Sequence, residues 1–589
     1  MLADKITYAR KLIRRTMNQG HALIMAWSGG KDSSTVMCLV LSESMAFKRD
    51  NGSSPRLVVS HANTGVENPE MERVANLDLE RIRDFADKHG LDLEIRVSQP
   101  VLNDLFSVKV ISGRDMPAFP GQGKAGAKGS GGARKCSVSW KIQPQTKLLR
   151  ELVSGFKAQG IEPVTVTGTR FSESTARAAN MNARGENAEK LWVDGGALRL
   201  SPIADWTDVD VWTFLSKERS GLESYSDFAE LIELYRDASE NTTIVDGVEV
   251  HSSRFGCCIC TLSRDRSMER LVTVNPSKYG YMSGLLKLQK FLLKTRYDLS
   301  RRNWLCFAID SDGYAKIRPN TYSPSMLEEL LRYCLSLDEI ERRSTGGNPR
   351  FELVPIEALV AINAIFSAQG HHEAFHAFRI YKEIVIDGNL VEIPDVETAP
   401  KVPIPATKYV HLGLEYQDAY YRWSGLADPY LAAVAGPGCM QHIHSAGNTV
   451  LDVNKATCFE VDTQGAWDFV HFMLEDTLER FPAGKCSRTY GYTFLTQLGT
   501  LTLAKGSQVS RVDDILRRTT WKAEAGLLDL DPRTNPEKVQ EVLARALTEK
   551  EKAAKLRSEE IRVSPLTPAQ RPKVSVTMVK QLKLPGLAA

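Results

Sequence analysis

The sequence has few cysteines, almost no excess of either charge and no long hydrophobic run. Ten cysteines among 589 residues are too few for the disulfide framework of a secreted scaffold. Lysine and arginine total 75 and the acidic residues total 72, so a nucleic-acid partner would have to be held by a local basic patch. The apolar stretch that begins at Leu353 is interrupted by charge before the roughly 20 residues needed to cross a bilayer. The sequence therefore predicts no membrane partner.

The composition and the first residues predict a folded protein of the reducing cytoplasm. Hydrophobic residues make up 42% of the chain and charged residues 25%, which excludes a fibrous or globally disordered protein. The start MLADKITYARKLIRR has basic residues but no apolar signal core. In a reducing compartment, clustered cysteines are metal ligands or reactive thiols more often than disulfides. The run Cys257-Cys258-Ile259-Cys260 is the feature that most needs explaining.

The N-terminal third alternates short apolar runs with longer helical patterns, an order typical of a parallel sheet covered by helices. The predicted strands cover 23–27, 57–60, 91–97 and 164–167, and the predicted helices cover 31–47 and 70–89. We therefore predict an α/β fold with a doubly wound, mostly parallel sheet. In such sheets ligands bind beyond the carboxyl ends of the strands, which here means the loops after Trp27, Ala62 and Thr167.

Helical periodicity dominates from Tyr279 to Phe366, and prolines then punctuate the segment from Ile393 to Ala406. We place a domain boundary at these prolines. Beyond it, helix-like patterns cover 466–480 and 536–562. The predicted domains are an α/β domain, a cysteine-bearing, mainly helical extension and a mainly helical C-terminal domain of unknown function, at 1–220, 221–392 and 407–589.

The segment from Gly113 to Arg134 is rich in glycine and basic residues. It is either a solvated linker or a flexible arm that closes on a phosphate-bearing substrate or a polynucleotide. Its position just before Cys136 favours the arm.

The strongest local signal follows the first predicted strand. It consists of Ser28-Gly29-Gly30-Lys31-Asp32-Ser33-Ser34. Two glycines let backbone amides point into one concavity, the following helix adds its positive N-terminal end, and serine and lysine side chains add donors. The pattern predicts a pyrophosphate cradle, although the GxxxxGK[ST] spacing of a Walker A loop is absent.

This string resembles the PP-loop ATP pyrophosphatases, which have the adenine nucleotide alpha hydrolase-like fold and cut ATP between its α and β phosphates. Three later segments, 61–69, 168–177 and 202–212, are similar to motifs of the phosphoadenosine phosphosulfate reductase branch, although Asn63 stands where many members carry aspartate. The resemblance implies bound ATP and Mg²⁺. It implies nucleotide contacts from Ser28, Gly29, Gly30, Lys31, Asp32, Ser33, Ser34, Asn63 and Thr64.

Four residues are the candidates for catalysis within this resemblance: Lys31, Asp32, Arg170 and Arg177. Lys31 meets charge on the leaving pyrophosphate, and Asp32 binds Mg²⁺ or fixes the loop. Arg170 and Arg177 are seven residues apart, about two helical turns if their segment is helical, and could clamp phosphates from one side. The alternative for each arginine is an ordinary structural ion pair.

Two further segments, 134–144 and 254–268, resemble the DNA phosphorothioation sulfurtransferases, the C subunit of Dnd systems and the D subunit of Ssp systems. This resemblance covers roughly the first 360 residues, and nothing is recognised beyond Pro400. It implies that a DNA backbone phosphate is adenylated and that a separate cysteine desulfurase supplies sulfur. It also implies further subunits of a DNA phosphorothioation system as partners.

The relatives in this branch carry a 4Fe-4S cluster on four cysteines. Cys136, Cys257 and Cys260 match three of these positions, and Val250 stands at the fourth. Cys258 is the extra thiol nearby, and His251 is a weaker substitute. A cluster or zinc site, a redox-active or sulfur-accepting set, and buried inert thiols stay open as alternatives.

Three other functions also stay open. The first is a phosphoadenosine phosphosulfate reductase-like enzyme, which binds a preformed adenylate and does not cleave ATP. The second is tRNA thiolation, which keeps the adenylation step. The third is a non-catalytic nucleic-acid-binding scaffold, against which the intact string from Ser28 to Ser33 argues.

Overall fold

The computed structural model describes residues 2–117, 135–217, 219, 221–261, 266–417, 440–442, 449–451, 459–503 and 506–562. Most of the predicted arm between Gly113 and Arg134 lies outside the described residues. The same holds for Cys439, Cys458 and the motif positions 262–265.

A six-stranded sheet forms the centre of the N-terminal region, in the order β3-β2-β1-β4-β6-β5. All its neighbouring strands are parallel except the β5–β6 pair. The predicted doubly wound, mostly parallel sheet is confirmed. The strands are β1 (Ala22–Trp27), β2 (Arg56–Ala62), β3 (Asp92–Ser98), β4 (Pro163–Val166), β5 (Trp192–Asp194) and β6 (Ala197–Leu200). The helices are α1 (Leu2–Asn18), α2 (Lys31–Asn51), α3 (Pro69–His89), α4 (Lys135–Ser137), α5 (Gln143–Ala158), α6 (Thr175–Ala183) and α7 (Asp208–Ser216).

Local signals explain where the helices beside the site begin and end. The Asn68 side chain accepts from the Glu70 amide, and Pro69 occupies the first turn of α3, where its missing N–H costs nothing. Gly52 and Gly90, both with positive φ, end α2 and α3. Strand β1 is buried along nearly all of its length, as expected for a strand covered on both faces.

The extension contains two hairpins of strands as well as helices. Its helices are α8 (Ala229–Ala238), α9 (Ser267–Val274), α10 (Pro276–Tyr279), α11 (Ser283–Thr295), α12 (Pro324–Ser344), α13 (Ile356–Gln369) and α14 (His376–Tyr381). Its strands are β7 (Thr242–Val245), β8 (Val248–His251), β9 (Arg302–Ile309) and β10 (Tyr314–Tyr322).

The prediction of helical structure from Tyr279 to Phe366 is wrong between Arg302 and Tyr322. In β10 buried and exposed residues alternate almost strictly, the period of a strand with one face against a core. Gly313, with a φ of +78°, forms the turn between β9 and β10, and an added Cβ there would lie 2.8 Å from the Gly413 Cα. Residues flanking such a turn pair as a hairpin instead of continuing a helix.

Strand β11 (Lys408–His411), which follows the proline-rich segment, pairs with β10. Leu527 and Leu530 share a hydrophobic cluster with Leu305 and Ile317 of the hairpin. The remaining strands are β12 (Met440–His442), β13 (Thr449–Leu451), β14 (Glu460–Val461) and β15 (Leu501–Thr502). The remaining helices are α15 (Thr463–Asp468), α16 (Leu474–Arg480), α17 (Tyr490–Gln497), α18 (Gly506–Glu524), α19 (Pro536–Arg545) and α20 (Glu549–Arg562).

A π-helical segment joins α15 to α16, so the helical prediction for 466–480 is confirmed. The pattern at 536–562 is two helices, not one. Leu547 forms a β-bridge with Tyr409 between them, and Thr548 and Glu551 form a reciprocal cap at the start of the second. In the described residues no helix is both long and apolar enough to cross a membrane.

Candidate nucleotide and thiol site

The loop between β1 and α2 has the backbone geometry of an anion cradle. Gly29 has a φ of +75°, and a Cβ at this position would lie 2.9 Å from the Ala75 Cβ of α3. Both observations require glycine. Gly30 is the N-cap of α2 and no side chain caps this helix, so the first amides of α2 face the concavity at the positive end of the helix.

Ser33 fixes the shape of this loop. Its hydroxyl donates to the Gly30 carbonyl at 2.9 Å and accepts from the Ser28 amide at 3.2 Å. Ser34 is fully buried, whereas Ser28 is exposed. Of the predicted serine contacts, Ser28 is therefore the one open to a ligand.

The loop after β4 presses against the first turn of α2. A Cβ on Gly168 would lie 2.9 Å from the carbonyl carbon and oxygen of Asp32 and 3.0 Å from the Ser33 nitrogen. Real side chains essentially never approach backbone so closely. Glycine at position 168 therefore allows the loop after β4 to contact the loop after β1, two of the three loops predicted to bind a ligand.

Four charged side chains form one network at this junction. The Lys31 Nζ lies 2.7 Å from Asp208 and 3.2 Å from Asp32. Arg170 binds the same two carboxylates, Asp32 through Nε at 2.7 Å and Asp208 through a terminal nitrogen at 2.8 Å. Burial raises the pKa of Asp208, but hydrogen bonds and charge from Lys31 and Arg170 outweigh it and lower the pKa overall. Both carboxylates are therefore held in place by cations.

Arg170 and Arg177 lie in different environments. The Arg170 side chain is 1% exposed and also donates to the Ser172 hydroxyl and the Trp206 carbonyl. Arg177 is 47% exposed and pairs with Glu173 at 2.9 Å. Arg170 has an extended backbone before α6, so the two arginines do not share one helix face as the helical spacing would require.

The loop after β2 stands next to this network, because Trp27 at the end of β1 pairs in register with His61 of β2. Asn63 bonds within the protein, accepting from the Gly65 amide at 2.7 Å and donating to Glu72 at 2.8 Å. The Thr64 hydroxyl is buried and accepts from the Val66 amide at 3.4 Å. These side chains shape the loop.

The cysteine turn is attached directly to these loops. The Cys258 amide donates to the Val66 carbonyl at 2.9 Å, and Arg254 donates to the Glu173 carbonyl at 2.7 Å. The Phe255 ring packs edge-on against Tyr235 with centroids 5.1 Å apart. A Cβ on Gly30 would lie 3.4 Å from the Tyr235 hydroxyl. The thiols therefore lie at the same edge of the sheet as the phosphate loop.

Cys257 interacts with each of the other three candidate thiols. Burial raises the pKa of Cys257 well above its usual value, with added repulsion from Glu67, Cys258, Cys260 and Cys136. Burial is also the main cause of the raised pKa of Cys136, to which Cys260 contributes. In this environment the neutral thiols are favoured. A bound cation would relieve the repulsion and deprotonate them.

The described residues do not form a complete four-thiolate centre. Cys258 is 4% exposed, and its charge would repel that of Cys334 in α12. His251 is buried, with its ring packed edge-on against Trp212 at 4.9 Å and one ring nitrogen 3.2 Å from Thr242. The sulfur atoms of Cys136, Cys257 and Cys260 are not all within 4.8 Å of one another, whereas a single tetrahedral zinc would hold them about 3.8 Å apart.

Part of the chain matches a known domain family. Residues 22–262 match the phosphoadenosine phosphosulfate reductase domain. A search of curated proteins finds no match to the chain. The phosphoadenosine phosphosulfate reductase domain includes the central sheet, the phosphate loop, Asp208 and the cysteine turn. It associates this part of the chain with nucleotide-using enzymes of sulfur chemistry in the PP-loop superfamily.

The structure adds site residues that the sequence reasoning did not select. Asp208 begins α7, where Thr207 caps the helix in a reciprocal pair with Asp210; the Thr-x-x-Asp pattern could have marked this helix start. Gly168 could have been recognised only from the structure. A separate group of Glu328, His372 and His376 lies in the extension, and the spacing of its two histidines was visible in the sequence.

Proposed function

We propose that the protein is an ATP pyrophosphatase of DNA phosphorothioation. It adenylates a DNA backbone phosphate, releases pyrophosphate, and allows sulfur from a cysteine desulfurase to replace a non-bridging oxygen. The observation that carries the proposal is the attachment of the cysteine turn to two nucleotide-facing loops, through Cys258 to Val66 and through Arg254 to Glu173. Adenylation and thiol chemistry can then take place at one edge of the sheet.

The first step forms one bond and breaks one. A non-bridging oxygen of the DNA phosphate attacks the α phosphorus of ATP, and the bond to the β-phosphate bridging oxygen breaks, so pyrophosphate leaves with the electron pair. The amides of α2 and the Lys31 ammonium meet the charge that grows on this leaving group. Asp32, held by Arg170 at 2.7 Å, would hold the Mg²⁺ that accompanies ATP.

In the second step sulfur attacks the activated DNA phosphorus and AMP leaves, carrying the original phosphate oxygen. Hydrosulfide yields the phosphorothioate and one proton directly. Attack by a persulfide instead leaves its outer sulfur bonded to both phosphorus and the sulfur of the donor. A second thiol must then cleave this sulfur–sulfur bond, which releases the phosphorothioate. The mixed anhydride needs protection from water.

The test is to incubate the purified chain with Mg-ATP and measure pyrophosphate and AMP, with and without DNA, a cysteine desulfurase and cysteine. We expect DNA-dependent release of both products, and phosphorothioate in the DNA when the sulfur source is present. Lys31→Ala and Asp32→Ala should each lower pyrophosphate release at least about 100-fold. Lys157→Ala, which removes a surface ion pair with Glu162, is the matched control and should keep full activity.

Other outcomes select the other functions. Turnover with tRNA but not with DNA would indicate tRNA thiolation. Reduction of phosphoadenosine phosphosulfate without ATP cleavage would indicate the reductase. No nucleotide turnover with any acceptor would indicate a scaffold, and unchanged pyrophosphate release in both site variants would refute the assigned site.

A further inference from the structure

A second cluster of ligand-type side chains lies in the extension. Glu328 projects from α12, His376 begins α14, and His372 lies in the turn just before it. One ligand atom from each residue lies within 4.8 Å of the other two. Within the described part of the chain, no other three His, Cys, Asp or Glu residues meet this condition.

The contacts within the cluster leave one imidazole nitrogen without a partner. The His376 Nε2 is 3.0 Å from a Glu328 carboxylate oxygen. The His372 and His376 rings stack with centroids 4.2 Å apart and planes 14° from parallel. The His372 Nε2 is buried and has no hydrogen-bond partner. Buried polar atoms are almost always satisfied, so this nitrogen indicates a missing ligand.

A further ion pair orients the carboxylate. The Arg332 Nε donates to Glu328 at 2.9 Å, and a terminal nitrogen of the same guanidinium donates to Glu383 at 2.6 Å. Outer contacts of this kind are typical of metal-binding carboxylates, because they fix the direction of the ligand oxygen. Arg332 therefore restricts the rotation of the Glu328 carboxylate, which can contact His376 and also bind an ion.

The cluster opens into a cavity of about 440 Å³ between the extension and the C-terminal region. Two other charged groups on its wall, Arg488 and Asp529, neutralise each other in a two-pronged ion pair at 2.6 and 2.9 Å. Asp531 accepts from the Ser325 amide at 2.9 Å. The histidine and glutamate ligands are thus the part of the wall best suited to a cation.

The backbone here differs from that of helical zinc sites. The sequence from His372 to His376 reads H-E-x-x-H, in which both histidines usually project from one helix and the glutamate acts as a base. Here Phe375 has a φ of +65° and the helix begins only at His376. Glu373 is exposed. The two imidazoles meet because the chain turns back on itself, so the protease arrangement does not apply.

We propose that Glu328, His372 and His376 bind one divalent transition-metal ion, best matched by Zn²⁺, with its remaining coordination position open to the cavity. Two imidazoles and one carboxylate are the ligand set of zinc sites that keep an exchangeable water or substrate position. Zinc bond lengths require ligand atoms about 3.4 Å apart. The present separations are at most 4.8 Å, and the His376 Nε2 is already 3.0 Å from Glu328, so side-chain rotations that move the ligand atoms by about 1 Å reach that geometry.

The experiment uses the full chain with Cys257→Ser and Cys260→Ser, so that the thiol group cannot supply the bound metal. This variant is loaded with Zn²⁺, dialysed and analysed by elemental mass spectrometry, and a parallel sample is loaded with Co²⁺ for absorption spectroscopy. We expect one equivalent of Zn²⁺. The Co²⁺ sample should show visible d–d bands of a four- or five-coordinate site without the intense near-ultraviolet thiolate band.

In this background His372→Asn and Glu328→Gln should each lower Zn²⁺ affinity at least about 10-fold. His471→Asn is the matched control, because His471 stacks on Trp467 and is exposed; it should keep the metal. Circular dichroism of each variant distinguishes loss of the site from loss of the fold, and Glu328→Gln preserves side-chain shape. Absence of bound metal, retention of metal in both ligand variants, or a thiolate-type Co²⁺ spectrum would overturn the proposal.

Discussion

Replacing Gly168 with alanine tests whether the close approach of the β4 loop to α2 shapes the phosphate cradle. The added Cβ would lie 2.9 Å from the Asp32 carbonyl atoms and 3.0 Å from the Ser33 nitrogen. These neighbours are backbone, so they cannot swing aside as a flexible side chain would. Restoring ordinary contact at about 3.5 Å requires a displacement of roughly 0.5 Å in the first turn of α2.

This displacement acts on the amides that are proposed to hold pyrophosphate. A shift of about 1 Å in positioning groups can cost around 100-fold in rate, so half of that shift should lower pyrophosphate release by about 10-fold. Overpacking of this size costs about 1–3 kcal/mol in the free energy of unfolding. The variant should therefore stay folded while losing function. Single-turnover pyrophosphate release and ATP-binding calorimetry measure the first effect, and urea unfolding measures the second.

Gly155→Ala is the matched control for this substitution. Gly155 lies inside α5 and a Cβ there meets nothing within 4 Å, so alanine should raise stability by about 0.5–1 kcal/mol through its better helix propensity. ATP binding and turnover should not change. If Gly168→Ala binds and cleaves ATP as well as Gly155→Ala does, the β4 loop does not position the cradle and the reasoning fails.

Three further predictions concern other buried groups. Burial lowers the pKa of Lys522 to about 7, whereas the pKa of a lysine in the unfolded chain is near 10.4. Between these two pH values the unfolded state binds more protons than the folded state, so the free energy of unfolding rises with pH. Between pH 7.5 and 9, the free energy of unfolding measured with urea should rise by at most about 2 kcal/mol more for the wild type than for Lys522→Met. If the two free energies depend on pH equally, the lowered pKa of Lys522 is contradicted. Cys257→Ser should abolish thiol-bound iron, whereas Cys258→Ala should keep the iron and lose about 1 kcal/mol of stability. Iron analysis of anaerobic preparations decides, and iron loss in the second variant would make Cys258 a ligand. Asn68→Ala removes the cap of α3 and should lower the free energy of unfolding, measured with urea, by about 1–2 kcal/mol. An unchanged free energy of unfolding would show that Asn68 does not stabilise α3.

The N-terminal sheet was predictable because its signals are local. Each strand there is a short apolar run, and the phosphate loop combines a strand end, two glycines and a helix start in one continuous string. The hairpin from Arg302 to Tyr322 was missed because its strands lie between long helices and carry charged residues on their exposed face. A two-residue period over nine residues, next to an Asp-Gly turn, was the available signal.

Site residues that depend on long-range contacts could not be predicted in this way. Asp208 joins Lys31 across 177 positions of the chain and Arg170 across 38, and no local pattern encodes such a pairing. Cys258 is indistinguishable from its neighbours in the sequence, but its thiol is buried, and its charge would repel that of Cys334 in α12 as well as that of Cys257. Local chemistry thus identifies candidate groups, and packing decides which of them can meet.

The charge network explains how the two cations at the phosphate loop can differ in role. Lys31, Arg170, Asp32 and Asp208 together carry no net charge, so the cations are already neutralised before a nucleotide arrives. Arg170 is 1% exposed and binds both carboxylates, and releasing it would leave a buried charge unpaired, which is costly. Lys31 is more accessible and holds Asp208 through a single 2.7 Å contact, which a phosphate oxygen can replace. Under the proposed function, nucleotide binding should therefore redirect Lys31 while Arg170 stays fixed and continues to hold Asp32.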